Sequence, residues 1–193
     1  MNTKFILIAF LLMVIIQIYV PAKMIFAKEE VIAQGKEFRF KTAPVDPTDP
    51  FRGKYIILSF EENAFQVTNA DDWIPGDPVY VSLGTNASGF AQILGVSREK
   101  PSSTEDYVLA SIDYIFNDSL RNMTIDYPFD RFYMEESKAA NAELAYNESA
   151  GDTTQVTYAL VAVKNGDAVI KDVLINGVPI AEVAKNWQEN NVE

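Results

Sequence analysis

The side chains that could do chemistry in this sequence are carboxylates and guanidinium groups. Histidine and cysteine are absent. This removes a Ser-His-Asp arrangement, a His-based zinc site, a thiol nucleophile, thiolate metal ligation and a disulfide framework. It does not fix the compartment, since many exported proteins also lack cysteine. Arg131 stands between Asp130 and Phe132 in YPFDRFYMEE (127–136), close to Tyr133, Glu135 and Glu136. One reading is a polar site in which Arg131 binds an anionic group and the acids orient it. The plainer reading is a salt-bridged strand-to-helix junction whose acids cap the helix, and acids at a helix start need no further role. Arg52, beside Gly53, is a bidentate donor that could hold Asp46 or Asp49 and so lock the preceding arm onto the sheet. Binding of a partner chain by Arg52 is the alternative.

The remaining candidates are weaker. Glu61-Glu62, Asp71-Asp72 and Glu135-Glu136 are sequence neighbours, whereas a glycosidase sets its two carboxyls apart across a cleft. The Asp71–Asp77 turn offers oxygen ligands for calcium, without the EF-hand spacing. Lys54 and Ser59 are an odd number of residues apart, so a regular strand points them to opposite faces and disfavours a Ser/Lys dyad. Asn86, Asn117, Asn122 and Asn147 each open a glycosylation pattern, which Asn-rich loops produce by chance.

The elements that must position these residues begin with an apolar segment. FILIAFLLMVIIQIYVPA (5–22) is uncharged, and as a helix it nearly spans a hydrocarbon core of about 30 Å. That length favours an uncleaved anchor over a cleaved signal, for which Val20-Pro21-Ala22 is an imperfect site. The chain has 16 bases and 27 acids; without Lys4 and Lys23, 14 bases face 27 acids and the remainder carries −13. So acidic a domain is repelled by nucleic acid and by anionic head groups. The bases Lys23, Lys28, Lys36, Arg39 and Lys41 after the segment favour a cytoplasmic domain. An apolar run after a short basic tail is the usual export signal, and on that ground an extracytoplasmic domain is expected.

Residues 22–35 extend the anchor helix to a stop at Gly35. EFRFKT (37–42) alternates as a strand. Pro44, Pro47 and Pro50 share one edge of a polyproline II helix, a stiff spacer of about 20 Å at roughly 3.1 Å per residue. KYIILSF (54–60) reads as one strand with Ile56, Leu58 and Phe60 on one face. Strands are expected over 78–83, 89–96 and 106–116. In TIDYPFDRFYM (124–134), Pro128 predicts an edge strand or a strand-loop-strand. EESKAANAELAYN (135–147) is the one substantial helix after the anchor. Residues 154–164, Asn165-Gly166 and 168–175 form a hairpin, and Asn176-Gly177 a second reversal before VPI (178–180). The last residues read as a frayed helix or tail.

PVDPTDPFRGKYIILSF (44–60) resembles the signature of the GDYXXLXY family of bacterial membrane-anchored proteins. Gly53, Tyr55 and Leu58 match the name motif; Lys54 stands where the family has Asp, and Phe60 where it has the final Tyr. YPFDRFYMEE (127–136), the following helix and ALVAVKNGDAVIKDVLINGVPI (159–180) resemble the family's second half. The resemblance implies no established activity. It implies a domain commonly encoded beside, or fused to, multi-pass membrane proteins, and hence a membrane partner. Lys54 for Asp argues against indispensable chemistry by that carboxylate.

The expected fold is α+β, mainly antiparallel β: a transmembrane helix over residues 1–35 with its juxtamembrane extension, then one β-rich domain over 36–193 with one substantial helix. Its place is the bacterial cytoplasmic membrane, single pass, with residues 5–22 in the lipid bilayer. The expected function is a non-enzymatic accessory domain that binds a multi-pass membrane protein, with neither cofactor nor metal. A binding module for a small molecule or envelope polymer, with a pocket near Arg131, is the alternative. A hydrolase would need a buried Ser/Lys or carboxylate pair. The residues singled out for interaction are Arg52, Gly53, Tyr55, Leu58, Phe60, Asp130, Arg131, Tyr133, Glu135 and Glu136.

Overall fold

The computed structural model describes residues 3–43, 55–69, 72–102, 106–116, 122–152 and 154–190. The proline spacer, Arg52, Gly53, Lys54 and Asp71 lie outside the described residues.

Helix α1 (Thr3–Gln34) is continuous through Pro21 and, at 32 residues, is about 48 Å long. It is long and apolar enough to cross a membrane, and none of its most apolar window is buried. As expected, it runs on to a stop at Gly35. The Gly35 N–H donates to the Val31 carbonyl at 2.8 Å. A Cβ on Gly35 would lie 2.4 Å from that oxygen and 3.1 Å from the Val163 backbone, so only glycine lets helix, turn and sheet approach so closely. The end of α1 packs on the sheet that follows. Val31 is buried there, Lys28 pairs with Asp167 at 2.7 Å, and Lys164 reaches Glu30 and Gln34.

The first sheet is antiparallel and orders, from one edge to the other, β12 (Val178–Pro179), β11 (Asp167–Ile175), β10 (Thr157–Lys164), β1 (Lys36–Ala43) and β3 (Ser59–Phe60). Its first strand, β1 (Lys36–Ala43), buries Phe38, Phe40 and Thr42 and turns Glu37 and Arg39 outward, the expected alternation. Strands β10 (Thr157–Lys164) and β11 (Asp167–Ile175) form the expected hairpin. Asn165 and Gly166 have φ of 54° and 92°, the left-handed pair that a type I′ turn requires. Asn176 and Gly177, at 52° and 85°, repeat the device before β12 (Val178–Pro179). The chain then forms a helix, α3 (Ile180–Asn190), rather than ending in a tail, because Ile180 and Ala184, one turn apart, are both buried. α3 packs against α2 (Glu136–Gly151). The buried face of α2 carries Ala139, Ala142, Tyr146 and Ser149 at helical spacing.

The second sheet runs β4-β8-β7-β5-β6, with β4 (Ala64–Gln66), β5 (Pro78–Thr85), β6 (Ala91–Ser97), β7 (Tyr107–Ile115) and β8 (Asn122–Asp126). Its pairings are all antiparallel. The tip of the β10–β11 hairpin ties the two sheets together. The Leu109 N–H of β7 donates to the Gly166 carbonyl at 2.9 Å.

The stretch expected to be one strand is two. Tyr55–Ile57 (β2) pairs with Arg131–Tyr133 (β9) in a separate ribbon, whereas Ser59–Phe60 (β3) pairs with β1. Leu58 makes the change of partner, its N–H donating to the Asp130 carbonyl at 2.8 Å. The facial alternation survives the break: Ile56, Leu58 and Phe60 are all buried. Pro128 does interrupt the 124–134 segment, leaving β8 and β9 on either side of a loop.

Candidate functional site

The residues of the signature strand divide between core and surface. Leu58 is 4% exposed. Phe60 lies in an aromatic cluster with Phe40, Tyr127 and Phe129, with ring centroids 5.0–6.0 Å apart. Most of these rings meet edge to face, the arrangement their quadrupoles prefer. The Tyr127 hydroxyl donates to the Glu62 carbonyl at 2.8 Å. Burial first, and the nearby Glu62 charge second, push its phenol far above the usual value. A Tyr in place of Phe60 would bring a second hydroxyl into this packed group, and a buried hydroxyl needs a partner. Leu58 and Phe60 are therefore buried core residues, and both also line the cleft that opens beside Asp130.

Tyr55 points the other way. In the β2–β9 ribbon it stands directly opposite Tyr133, and Ile57 opposite Arg131. Residues two apart on a strand share a face, so Tyr55, Ile57, Arg131 and Tyr133 form one outward surface. The two tyrosine rings lie 5.4 Å apart. The Arg131 guanidinium sits 5.4 Å from the Tyr55 ring centroid, and its Nε is 3.6 Å from Asp130 Oδ2. A hydrogen bond to Tyr133, followed by the Asp130 charge, raises the Arg131 pKa further above its ordinary value. Tyr133 remains 65% exposed.

The two glutamates do not join this group. Glu135 precedes α2 but makes no side-chain cap. Its carboxylate pairs with Lys138 at 2.7 Å and accepts from Ser137 at 2.9 Å, and these bonds hold it below the usual carboxylate range. The α2 N–H groups of Lys138 and Ala139 are taken by the Glu135 backbone carbonyl instead. Glu136 is exposed in the first turn. Among the described residues, the acid paired with Arg131 is its neighbour Asp130.

A cleft of about 220 Å³ opens beside Asp130. Ser59, Asn63, Asp113 and Asp126 contribute polar groups to its wall. Asp113 and Asp126 were not among the expected residues, because nothing local in the sequence sets these β7 and β8 positions beside the loop before β9. Two of the carboxylates already accept hydrogen bonds, Asp113 from Thr124 at 3.3 Å and Asp126 from Ser111 at 3.4 Å. Among the described residues there is no group of three or more carboxylates placed to hold a metal ion.

The other candidates are dispersed among structural contacts. Glu61 pairs with Lys41 at 2.9 Å, while Glu62 accepts the Ile93 N–H at 2.7 Å. Asp77 pairs with Arg98 at 2.9 Å, and that guanidinium lies 5.0 Å from the Trp73 ring centroid. The Asn86 side chain closes its own loop by accepting from the N–H groups of Ser88 and Phe90. Asn117 lies outside the described residues.

A family model described as GDYXXLXY protein matches residues 17–173. Comparison with curated proteins and comparison with solved structures gave no match. The match includes α1 from Gln17 onward, the second sheet, the β2–β9 ribbon, α2 and the first sheet as far as Val173 of β11, so the surface that carries Tyr55, Arg131 and Tyr133 lies wholly inside it. The chain belongs to the GDYXXLXY family.

Proposed function

We propose that this protein is a non-enzymatic accessory domain, held by α1 in the cytoplasmic membrane of a bacterium with its β-rich part outside the cytoplasm, and that it binds a multi-pass membrane protein. The observation that carries the reading is the outward face of the β2–β9 ribbon. There two tyrosines and an arginine are already packed against one another, so little side-chain freedom is lost when a partner covers them. Tyr and Arg are the residue types that dominate binding energy at protein interfaces. The strongly acidic character of the rest of the chain favours a protein partner over an anionic lipid surface.

The test is a pull-down of the tagged full-length chain in mild detergent, followed by mass spectrometry. A stoichiometric multi-pass protein is expected, and its recovery should fall at least tenfold with Arg131→Ala or Tyr133→Ala. Recovery of the chain alone from membranes in which it is well expressed would overturn the proposal.

The cleft beside Asp130 favours a second reading, a binding module for a small molecule or envelope polymer. Its aspartates suit a cationic or polyhydroxylated ligand rather than an anion. Asp113→Asn with Asp126→Asn should then abolish any ligand-induced rise in Tm while leaving the partner pull-down unchanged.

A further inference from the structure

We infer that α1 pairs with the α1 of a second copy of this chain, through Gln17. The inference rests on the reading of α1 as a membrane-spanning helix. Gln17 is the one amide side chain in the uncharged stretch 5–22. It lies five residues before Ala22, about 8 Å from that end of the stretch at the helical rise, too deep for its short side chain to reach water. It is exposed on the helix and has no hydrogen-bond partner among the described residues.

A second unmet group lies on the same residue. Pro21 is inside the helix and has no N–H, so the Gln17 carbonyl, four residues earlier, lacks its helical donor. The hydrocarbon region supplies no water to take its place. A single α1 therefore holds two amide donors, an amide acceptor and a carbonyl without its helical donor within about one turn.

A second copy meets the needs of the amide at the right height. Two parallel α1 helices related by a two-fold axis bring the Gln17 residues together at the same depth. An amide is its own complement, so each side-chain N–H can donate to the other's oxygen. Such a contact is isologous and closes at two chains, and polar side chains are the usual links between helices in lipid.

The chain has no cysteine, so single introduced cysteines report the contact without background. Phe10→Cys and Met24→Cys lie seven residues either side of Gln17, on its own face; Ile15→Cys lies on the opposite face. The full-length variants are oxidised in membranes and washed with carbonate. Disulfide-linked dimers are expected from Phe10→Cys and Met24→Cys but not from Ile15→Cys. Adding Gln17→Leu should weaken the pairing roughly tenfold, and Gln17→Asn should restore most of it. Full-length monomer in the washed pellet, equal cross-linking on both faces, indifference to Gln17→Leu, or cross-linking of this face only to another protein would each overturn the pairing and leave the membrane-spanning reading standing. Protein released by the wash, or shortened by cleavage near Ala22, would overturn that reading and the pairing with it.

Discussion

Replacing Leu58 by Ala and, separately, Tyr55 by Ala distinguishes the two halves of the signature strand. Leu58 is 4% exposed and lies where the chain passes from the β2–β9 ribbon to the first sheet. Truncating so buried a leucine costs about 3 kcal/mol, within a usual span of roughly 2–5. For a chain of this size each kcal/mol lowers Tm by about 2–4 °C, so Leu58→Ala should lower it by about 6–12 °C. Tyr55 is half-buried, and its ring contacts among the described residues are with Tyr133 and Arg131, a cross-strand pair worth roughly 1 kcal/mol, or about 2–4 °C. The assay is thermal unfolding of the full-length variants in detergent, followed by near-ultraviolet circular dichroism and paired with the pull-down. Leu58→Ala should unfold early yet still recover partner at low temperature. Tyr55→Ala should remain folded and lose the partner. A Leu58→Ala protein that unfolds within 2 °C of wild type, or a Tyr55→Ala protein as destabilised as Leu58→Ala, would refute the division into core and surface roles.

Three further outcomes follow from other contacts. Gly166→Ala places a Cβ at φ of 92° and 2.8 Å from the Tyr107 ring. It should cost about 1–2 kcal/mol from backbone strain alone, read as a fall in denaturation midpoint together with faster hydrogen exchange at the Leu109 amide. Gly35→Ala should separate α1 from the first sheet; proteolysis between residues 31 and 38, absent in the wild type, checks this. Stability should also fall above pH 10. Burial pushes the Tyr146 phenol up to about 12 from 10.0, and burial of Tyr127 acts in the same direction. The folded chain then holds protons that the unfolded chain releases, so the slope is negative from the unfolded value near 10 up to the folded value. Each phenol contributes about 1.4 kcal/mol per pH unit within that window, and Tyr146→Phe should flatten the decline in denaturant midpoints between pH 10 and 12.

Much of this architecture is local and therefore legible in the sequence. Phe38 and Phe40 alternate with charged residues, and β1 follows that pattern. Asn165-Gly166 and Asn176-Gly177 carry the backbone angles that their turns need. Gly35 ends α1 because any side chain there would strike Val31. What the sequence does not display is the choice of partner. KYIILSF has the alternation of a single strand, yet its backbone bonds pass from β9 to β1 at Leu58, a choice made by Asp130 far along the chain. The same distance hides the proposed interaction face. Tyr55 and Tyr133 are each interaction candidates in the sequence, but only the register of β2 with β9 brings them together under Arg131. Glu135 misleads for the opposite reason. It is near Arg131 in sequence, but Lys138 and Ser137, one turn into α2, take its carboxylate first.

The measurement closest to the central claim is the recovery of a multi-pass membrane protein by the full-length chain, compared with that by its Tyr133→Ala variant at equal expression and membrane content. Tyr133 is highly exposed and its loss should leave the fold intact. A stoichiometric partner is expected with the wild type and at least a tenfold loss with the variant. Equal recovery by both, or no partner with either, would contradict it.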